Sequence, residues 1–303
     1  MLIHKAMHTF KNVCGAGAVL ALCATAVAGC GKPADTTPAQ GTLAVQLSRS
    51  RVALGSPVDV TYRFTLAADA TSLGARKVFV HFVDADGEQM WTDDHDPPTP
   101  ATGWKSGQTV EYTRTVFAPV YPYVGQAAIV AGLYDPASGD RVKFTGTDAG
   151  GRAYKVAQLE LLPQTENIFL IFKDGWHSVE AATGNATVEW QWTKKEATLA
   201  FRNPRRDAVL YFQADNPGVA ATAATKVELR MGDQVLQTVA LRADGPVLKI
   251  PLTAAAMGSG DMVELRLVVD QTFVPALEPG AHSNDPRELG ARVFHAFVQP
   301  QGS

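Results

Sequence analysis

The chain holds three cysteines, and two of them, Cys14 and Cys23, lie inside an apolar leader. Loss of that leader leaves Cys30 alone, so no disulfide can form and the folded part must be held by its core. Beyond the leader, no apolar run approaches the ~20 residues that a bilayer-spanning helix needs. A basic tail or stripe is also missing. The formal net charge of −3 becomes −5 once Lys5 and Lys11 go with the leader, which gives no footing for nucleic acid. Catalytic signatures are equally scarce. His81, His95, His177, His282 and His295 lie beyond the leader, and none pairs as HExxH or at another metal spacing. There is no GxSxG elbow, no glycine-rich phosphate loop and no thiol nucleophile other than Cys30. These absences argue against an enzyme and imply no catalytic residue, no cofactor and no metal. A pair of carboxylates meeting in space would still serve glycoside hydrolysis, which stays as a remote alternative.

What is present begins with an address. Residues 1–29 have the form of a secretory signal peptide, with Lys5 and Lys11 at a positive start and no acidic residue. From Val13 to Ala28 the chain is almost wholly Ala, Val, Leu, Gly and Cys. Val27-Ala28-Gly29-Cys30 then resembles the lipobox of bacterial lipoproteins. That resemblance implies cleavage before Cys30 and lipidation of its sulfur with acyl chains such as palmitate. Each buried methylene contributes about 0.8 kcal/mol, so several chains give a firm membrane anchor. Gly31 stands where an Asp would resemble an inner-membrane retention signal. The implied destination is the outer membrane of a cell that has one, facing the periplasm or the surface. Gly31 to Gly41 is polar, Pro-containing and aperiodic, so 30–41 reads as the lipidated Cys and a flexible tether.

From Thr42 the hydrophobic period becomes two. Val58, Val60, Tyr62, Phe64 and Leu66 alternate with Asp59, Thr61, Arg63 and Thr65, a half-buried strand. Val78–Val83 is apolar on both faces, and Asp84-Ala85-Asp86-Gly87 turns the chain. Further strands are expected at Gln89–Thr92, Thr109–Phe117, Ala127–Tyr134 and Tyr154–Leu161. After Pro163 and Gln164 the pattern resumes: Val188, Trp190 and Trp192 share a face, as do Ala197, Leu199 and Phe201. Val209–Phe212, Val227–Met231, Val235–Leu241, Val263–Val269 and Arg292–Val298 complete the set. Gly232-Asp233 reads as a two-residue turn, and Thr253–Met257 as a short capped helix stopped by Gly258. The fold class is therefore all-β. We expect two antiparallel β-sandwich domains, immunoglobulin-like or jelly-roll-like, at 42–162 and 163–303.

Candidate binding residues fall in loops. Asp93-Asp94-His95-Asp96 is the densest polar cluster, with Trp91, Trp104, Tyr121 and Tyr123 around it in sequence. Aromatic faces beside Asp94 and His95 suit a sugar ring, and Trp104 is the candidate platform. The plainer reading makes these aromatics plugs of a sandwich core, and adjacent carboxylates on extended chain converge poorly on a metal. In the second half, Trp176, His177 and Glu180 precede the first clear strand pair. Asp270 leaves a strand toward a loop holding Arg287 and Glu288. If the two loops meet, they form an aromatic, charged cleft; the alternative is a salt-bridge network that pins a long loop.

Two resemblances enter on these residues. The run from His81 to Asp86, with HDPPTPATGW and GLYDPASGDR, looks like Ig-like modules of bacterial envelope proteins. The second half, with GWHSVE, VEWQW, VDQTFVP and DPRELG, resembles β-sandwich modules on the extracytoplasmic side of some membrane glycosyltransferases. The multi-span membrane domain of those proteins is missing, so no transferase activity is implied. Together these features imply a lipid-anchored cell-envelope protein, a non-catalytic module for a glycan or polysaccharide. The alternative is an envelope adaptor that docks protein partners through sheet edges or loops.

Overall fold

In a computed structural model of the chain, residues 35–303 are described, apart from 184, 219–223, 244, 279–281 and 303 and the side chains of 185–187. The leader 1–29 and Cys30 lie outside the described residues. Nine strands form the first half: β1 (Gly41–Leu47), β2 (Arg51–Ala53), β3 (Pro57–Leu66), β4 (Lys77–Val83), β5 (Gln89–Thr92), β6 (Thr109–Phe117), β7 (Gly125–Tyr134), β8 (Asp148–Gly150) and β9 (Ala153–Leu162). Ten follow: β10 (Leu170–Phe172), β11 (Glu180–Ala182), β12 (Asn185–Trp192), β13 (Glu196–Arg202), β14 (Ala208–Asp215), β15 (Lys226–Met231), β16 (Gln234–Ala240), β17 (Leu248–Leu252), β18 (Met262–Val269) and β19 (Arg292–Pro300). The single helix of α type among the described residues is α1 (Ala254–Met257).

The strands assemble as two sandwiches. In the first, the sheet β1-β3-β6 faces the sheet β2-β9-β7-β4-β5, with β8 added to β9; every pair is antiparallel except β2 with β9. In the second, β10-β13-β18-β15-β16 faces β11-β12-β19-β14-β17, all antiparallel. No described sheet mixes strands of the two halves.

The alternation of β3 explains the first core. Val58, Val60, Tyr62, Phe64 and Leu66 are buried, and each large apolar side chain removed from water contributes about 1.5–3 kcal/mol. Their neighbours point outward and pair across to β6: Thr61 with Thr113 at 2.7 Å and Arg63 with Glu111 at 2.5 Å. The Asp84–Gly87 turn closes as its sequence predicts. The Asp84 carboxylate accepts the N–H groups of Asp86 and Glu88, and Gly87 supplies a φ of 86°. The Thr253 hydroxyl accepts the Ala256 N–H and so caps α1.

Some elements lie outside the predicted set. β2, β8, β10 and β11 are three residues each, too short to show a period. β17 contains Pro251, which reads as a strand breaker; it is tolerated because β17 is an edge strand of its sheet. The tether also ends earlier than Gly41. Gln40 already donates its N–H to the Lys143 carbonyl at 2.8 Å, and Gly41 is the first residue of β1.

Residues 38–303 form one compact unit, and side-chain contacts join its halves, among them the bond from Asn167 Nδ2 to the Leu54 carbonyl at 2.7 Å. Phe117 at the end of β6 stacks flat on His295 of β19, 4.0 Å between centroids and 8° between planes. The same ring meets Tyr211 edge-on at 6.5 Å. Lys249 of β17 pairs with Asp59 of β3 at 2.6 Å.

Candidate functional site

The acidic loop of the first sandwich is structural. β6 turns Tyr112 and Arg114 toward the interior, where both need partners, and the loop supplies them. Arg114 holds Asp93 with two hydrogen bonds, at 3.1 and 2.9 Å. His95 is 6% exposed. Its Nδ1 lies 2.7 Å from the Asp93 carbonyl, which can only accept, so Nδ1 carries the proton and Nε2 accepts from the Tyr112 hydroxyl at 2.7 Å. Burial lowers the pKa of this imidazole and raises that of the Tyr112 phenol. Asp94 accepts the Val80 N–H at 2.9 Å, tying the loop to β4. Trp104 is 5% exposed, leans on Phe64 with centroids 5.0 Å apart, and donates Nε1–H to the Thr99 carbonyl. Trp104, Asp94 and His95 are thus corrected from ligand-binding candidates to core and loop-closing residues. Among the described residues, no group of three His, Cys, Asp or Glu side chains is arranged to hold a metal ion.

The two loops of the second sandwich do meet, as a latch. The Arg287 guanidinium donates to both Asp285 oxygens, from Nε to Oδ1 at 2.9 Å and from Nη2 to Oδ2 at 2.6 Å, and reaches Glu180 at 2.6 Å from Nη1. The Arg287 hydrogen bonds bring the Asp285 carboxyl down to about 2, and Arg287 is raised in turn by Asp285 and Glu180. His177 Nε2 lies 2.8 Å from the Glu288 carbonyl, and the Glu288 carboxylate accepts from Thr272 at 2.9 Å. Two predicted members stand apart. Trp176 packs against the second core and donates to the Thr198 carbonyl. Asp270 accepts the Lys226 N–H at 2.8 Å, closing the start of β15 on the end of β18. Neither joins an open cleft in the way the spacing suggested.

The cleft lies next to the latch, on the strands. Glu180 of β11 accepts the Trp190 Nε1–H at 3.2 Å, so the latch holds an indole on β12. Trp190 meets Phe294 of β19 edge-on at 6.0 Å. The Arg292 guanidinium is set among the rings of Trp190, Trp192 and Phe294, 5.2, 5.7 and 5.0 Å from their centroids. It also grips the buried Asp215 of β14 with two bonds, at 2.7 and 2.6 Å.

Backbone irregularity opens the space. β12 and β19 pair only through Gln191–Trp192 with Val293–Arg292 before parting. The register between β14 and β19 shifts at Gln213/Ala214, which leaves Phe294 as the extra residue of a bulge. The resulting cleft has a volume of about 300 Å³ and is lined by Val188, Glu189, Gln213, Asp215, Arg292, Phe294 and His295, with Ala214 and Gly245. Burial lowers the His295 pKa to about 4, so its ring is neutral at neutral pH.

Sequence reasoning missed Glu189, Gln213, Asp215, Arg292, Phe294 and His295 as site residues. The alternation of Val188, Trp190 and Trp192 did show a shared face. It could not show that this face lies outside the second core, which contains none of the three.

No protein-family model matches the chain, and no curated protein matches it. Among solved structures, the CBM51-2 and INT domains of ZmpB from Clostridium perfringens, in complex with GlcNAc, share 12% identity. That match covers 84% of this chain and 40% of that one at a TM-score of 0.26. A second structure of these domains shares 12% identity over 60% of this chain and 38% of that one, with a TM-score of 0.25. The collagen adhesin of S. aureus shares 6% identity over 88% of this chain and 98% of that one, with a TM-score of 0.17. The chain thus spans well under half the length of the first two. Likenesses this slight carry no argument, and the reading that follows stands on geometry.

Proposed function

We propose that the protein is a lipid-anchored, non-catalytic envelope protein whose second sandwich binds a glycan in the β12–β19 cleft. The observation that carries this reading is the cleft itself, with a half-buried phenyl ring at its wall, an indole behind it and carboxylate, amide and guanidinium groups in its lining. A sugar presents a face of C–H groups that packs on an aromatic ring and a rim of hydroxyls that needs polar partners, and both are supplied here. Binding without hydrolysis fits the carboxylates available. Asp215 is held at both oxygens by Arg292, which leaves Glu189 without a second carboxylate to share acid and nucleophile roles. Retention on immobilised envelope polysaccharide tests the proposal. Wild type should be retained, and Phe294→Ala, with an unchanged melting curve, should lose several-fold to tenfold in affinity, since an aromatic face contributes roughly 0.5–1.5 kcal/mol. Equal retention of the two would refute it.

Anchorage through Cys30 and residence at the outer membrane belong to the same proposal. They rest on the leader and on the Val27–Cys30 motif. Cys30→Ser should move the protein out of the membrane fraction or leave an unlipidated precursor, and unchanged lipid labelling would refute the anchor.

One observation favours the adaptor reading as an alternative. β10 is an edge strand, and Phe169 just before it and Ile171 within it are 56% and 52% exposed, an apolar edge of the kind that pairs with another chain. Cross-linking from position 171 to an envelope protein, with no glycan retention, would favour it.

A further inference from the structure

The groups lining the β12–β19 cleft also restrict which ligands fit it. Arg292 is the only Lys or Arg side chain among its described lining residues, and Asp215 neutralises it through two bonds. A ligand carboxylate that reached Arg292 would meet Asp215 beside it. His295 lies half-buried against Phe117, and that burial keeps it neutral at neutral pH. The remaining charge belongs to Glu189, which is exposed and has no ion-pair partner among the described residues. Gln213 spends one of its two Nε2–H donors on the Gly245 carbonyl and keeps its amide oxygen to accept, beside the Glu189 carboxylate. With Arg292 and Asp215 cancelling, the lining carries one uncompensated negative charge, which suits a ligand that is neutral or brings an ammonium. It offers an acidic group a repelling neighbour.

We infer that this cleft takes a neutral or amino-bearing sugar unit and rejects uronate-, sialate- or sulfate-bearing ones. The inference rests on the proposal that the cleft binds a glycan. The test applies full-length protein in detergent, at low salt and about pH 6 where a sugar amine is cationic, to an array of neutral, amino-bearing, carboxylated and sulfated glycans. Signal should be confined to the first two classes. Glu189→Lys reverses the rim charge at an exposed position, and should shift the ratio of acidic to amino-bearing signal by roughly tenfold toward acidic glycans. Retention of acidic glycans by wild type would overturn the inference and leave the glycan proposal standing, as would an unchanged ranking in Glu189→Lys. No retained glycan of any class, from protein with an intact melting curve, would overturn both.

Discussion

His295 joins two features: its ring lines the cleft, and it stacks on Phe117 from the other sandwich. Burial brings its pKa to about 4, against roughly 6.5 in an unfolded chain. Above about pH 6.5 the ring is neutral in both states and folding is indifferent to pH through this group. Between about 6.5 and 4 the unfolded chain takes up a proton that the folded protein refuses, so stability falls as pH falls across that window. The loss is on the order of 3 kcal/mol. Burial also lowers the His95 and His81 pKa values, so the readout is a difference between proteins. His295→Phe keeps an aromatic stack and should flatten the fall in melting temperature between about pH 7 and 4.5; parallel curves for variant and wild type would contradict the assignment. Gly132 shows a constraint of another kind. A Cβ there would sit 2.5 Å from the Phe79 ring, which lies over the bare backbone from the neighbouring strand. Nothing in the residues around Gly132 announces that ring, because the approach comes from β4.

At the scale of elements, the latch of Asp285, Arg287 and Glu180 ties the loop before β19 to β11, and through Glu180 to the Trp190 indole. The latch groups are about one-third exposed at Arg287 and Glu180, so water screens them and the pair is worth roughly 0–1 kcal/mol to global stability. Its effect should be local. Arg287→Ala should lower the melting temperature by no more than a few degrees, yet speed proteolysis within 270–290 and weaken polysaccharide retention by loosening Trp190. Unchanged cleavage and retention would show that Trp190 is held by other contacts. Most elements are legible in the sequence alone: the alternation of β3, the Gly232-Asp233 turn and the capped α1 all follow from local chemistry. β17 was hidden by Pro251, since only its edge position makes the proline acceptable. The latch was legible as two loops rich in complementary charge. The cleft was not, because it depends on register. Arg292 and Asp215 lie far apart in the chain, and only the β14–β19 pairing sets them opposite each other. A bulge and a fork between strands leave no mark in a single sequence.

At the scale of the molecule, the junction between sandwiches includes an aromatic stack, an ion pair and the Asn167–Leu54 hydrogen bond. Lys249 and Asp59 remain 41% and 24% exposed, which limits that pair to a fraction of a kcal/mol. Phe117 carries more, about 0.5–1.5 kcal/mol from ring geometry beyond the apolar area it buries. Phe117→Ala should therefore uncouple the halves, and calorimetry should show two separated transitions where wild type shows one. A single unshifted transition in the variant would mean that the backbone linkage near Pro163 is what couples them. The direction of the strands has a mechanical consequence. Gly41 opens β1 opposite Leu66 of β3, while Asp59 and Phe117 stand near the other end of the same sheet, roughly 20–30 Å away at ~3.3 Å per residue. Tension between a held N-terminal tether and a ligand gripped by the second sandwich would run along the strand axis. The ladder from Gly41↔Leu66 to Leu47↔Val60 would then be loaded in shear, all its hydrogen bonds at once, instead of being peeled open one bond at a time. Single-molecule pulling from residue 35 against the second sandwich should give one abrupt high-force rupture of β1, and a staircase of small steps would rule that loading geometry out.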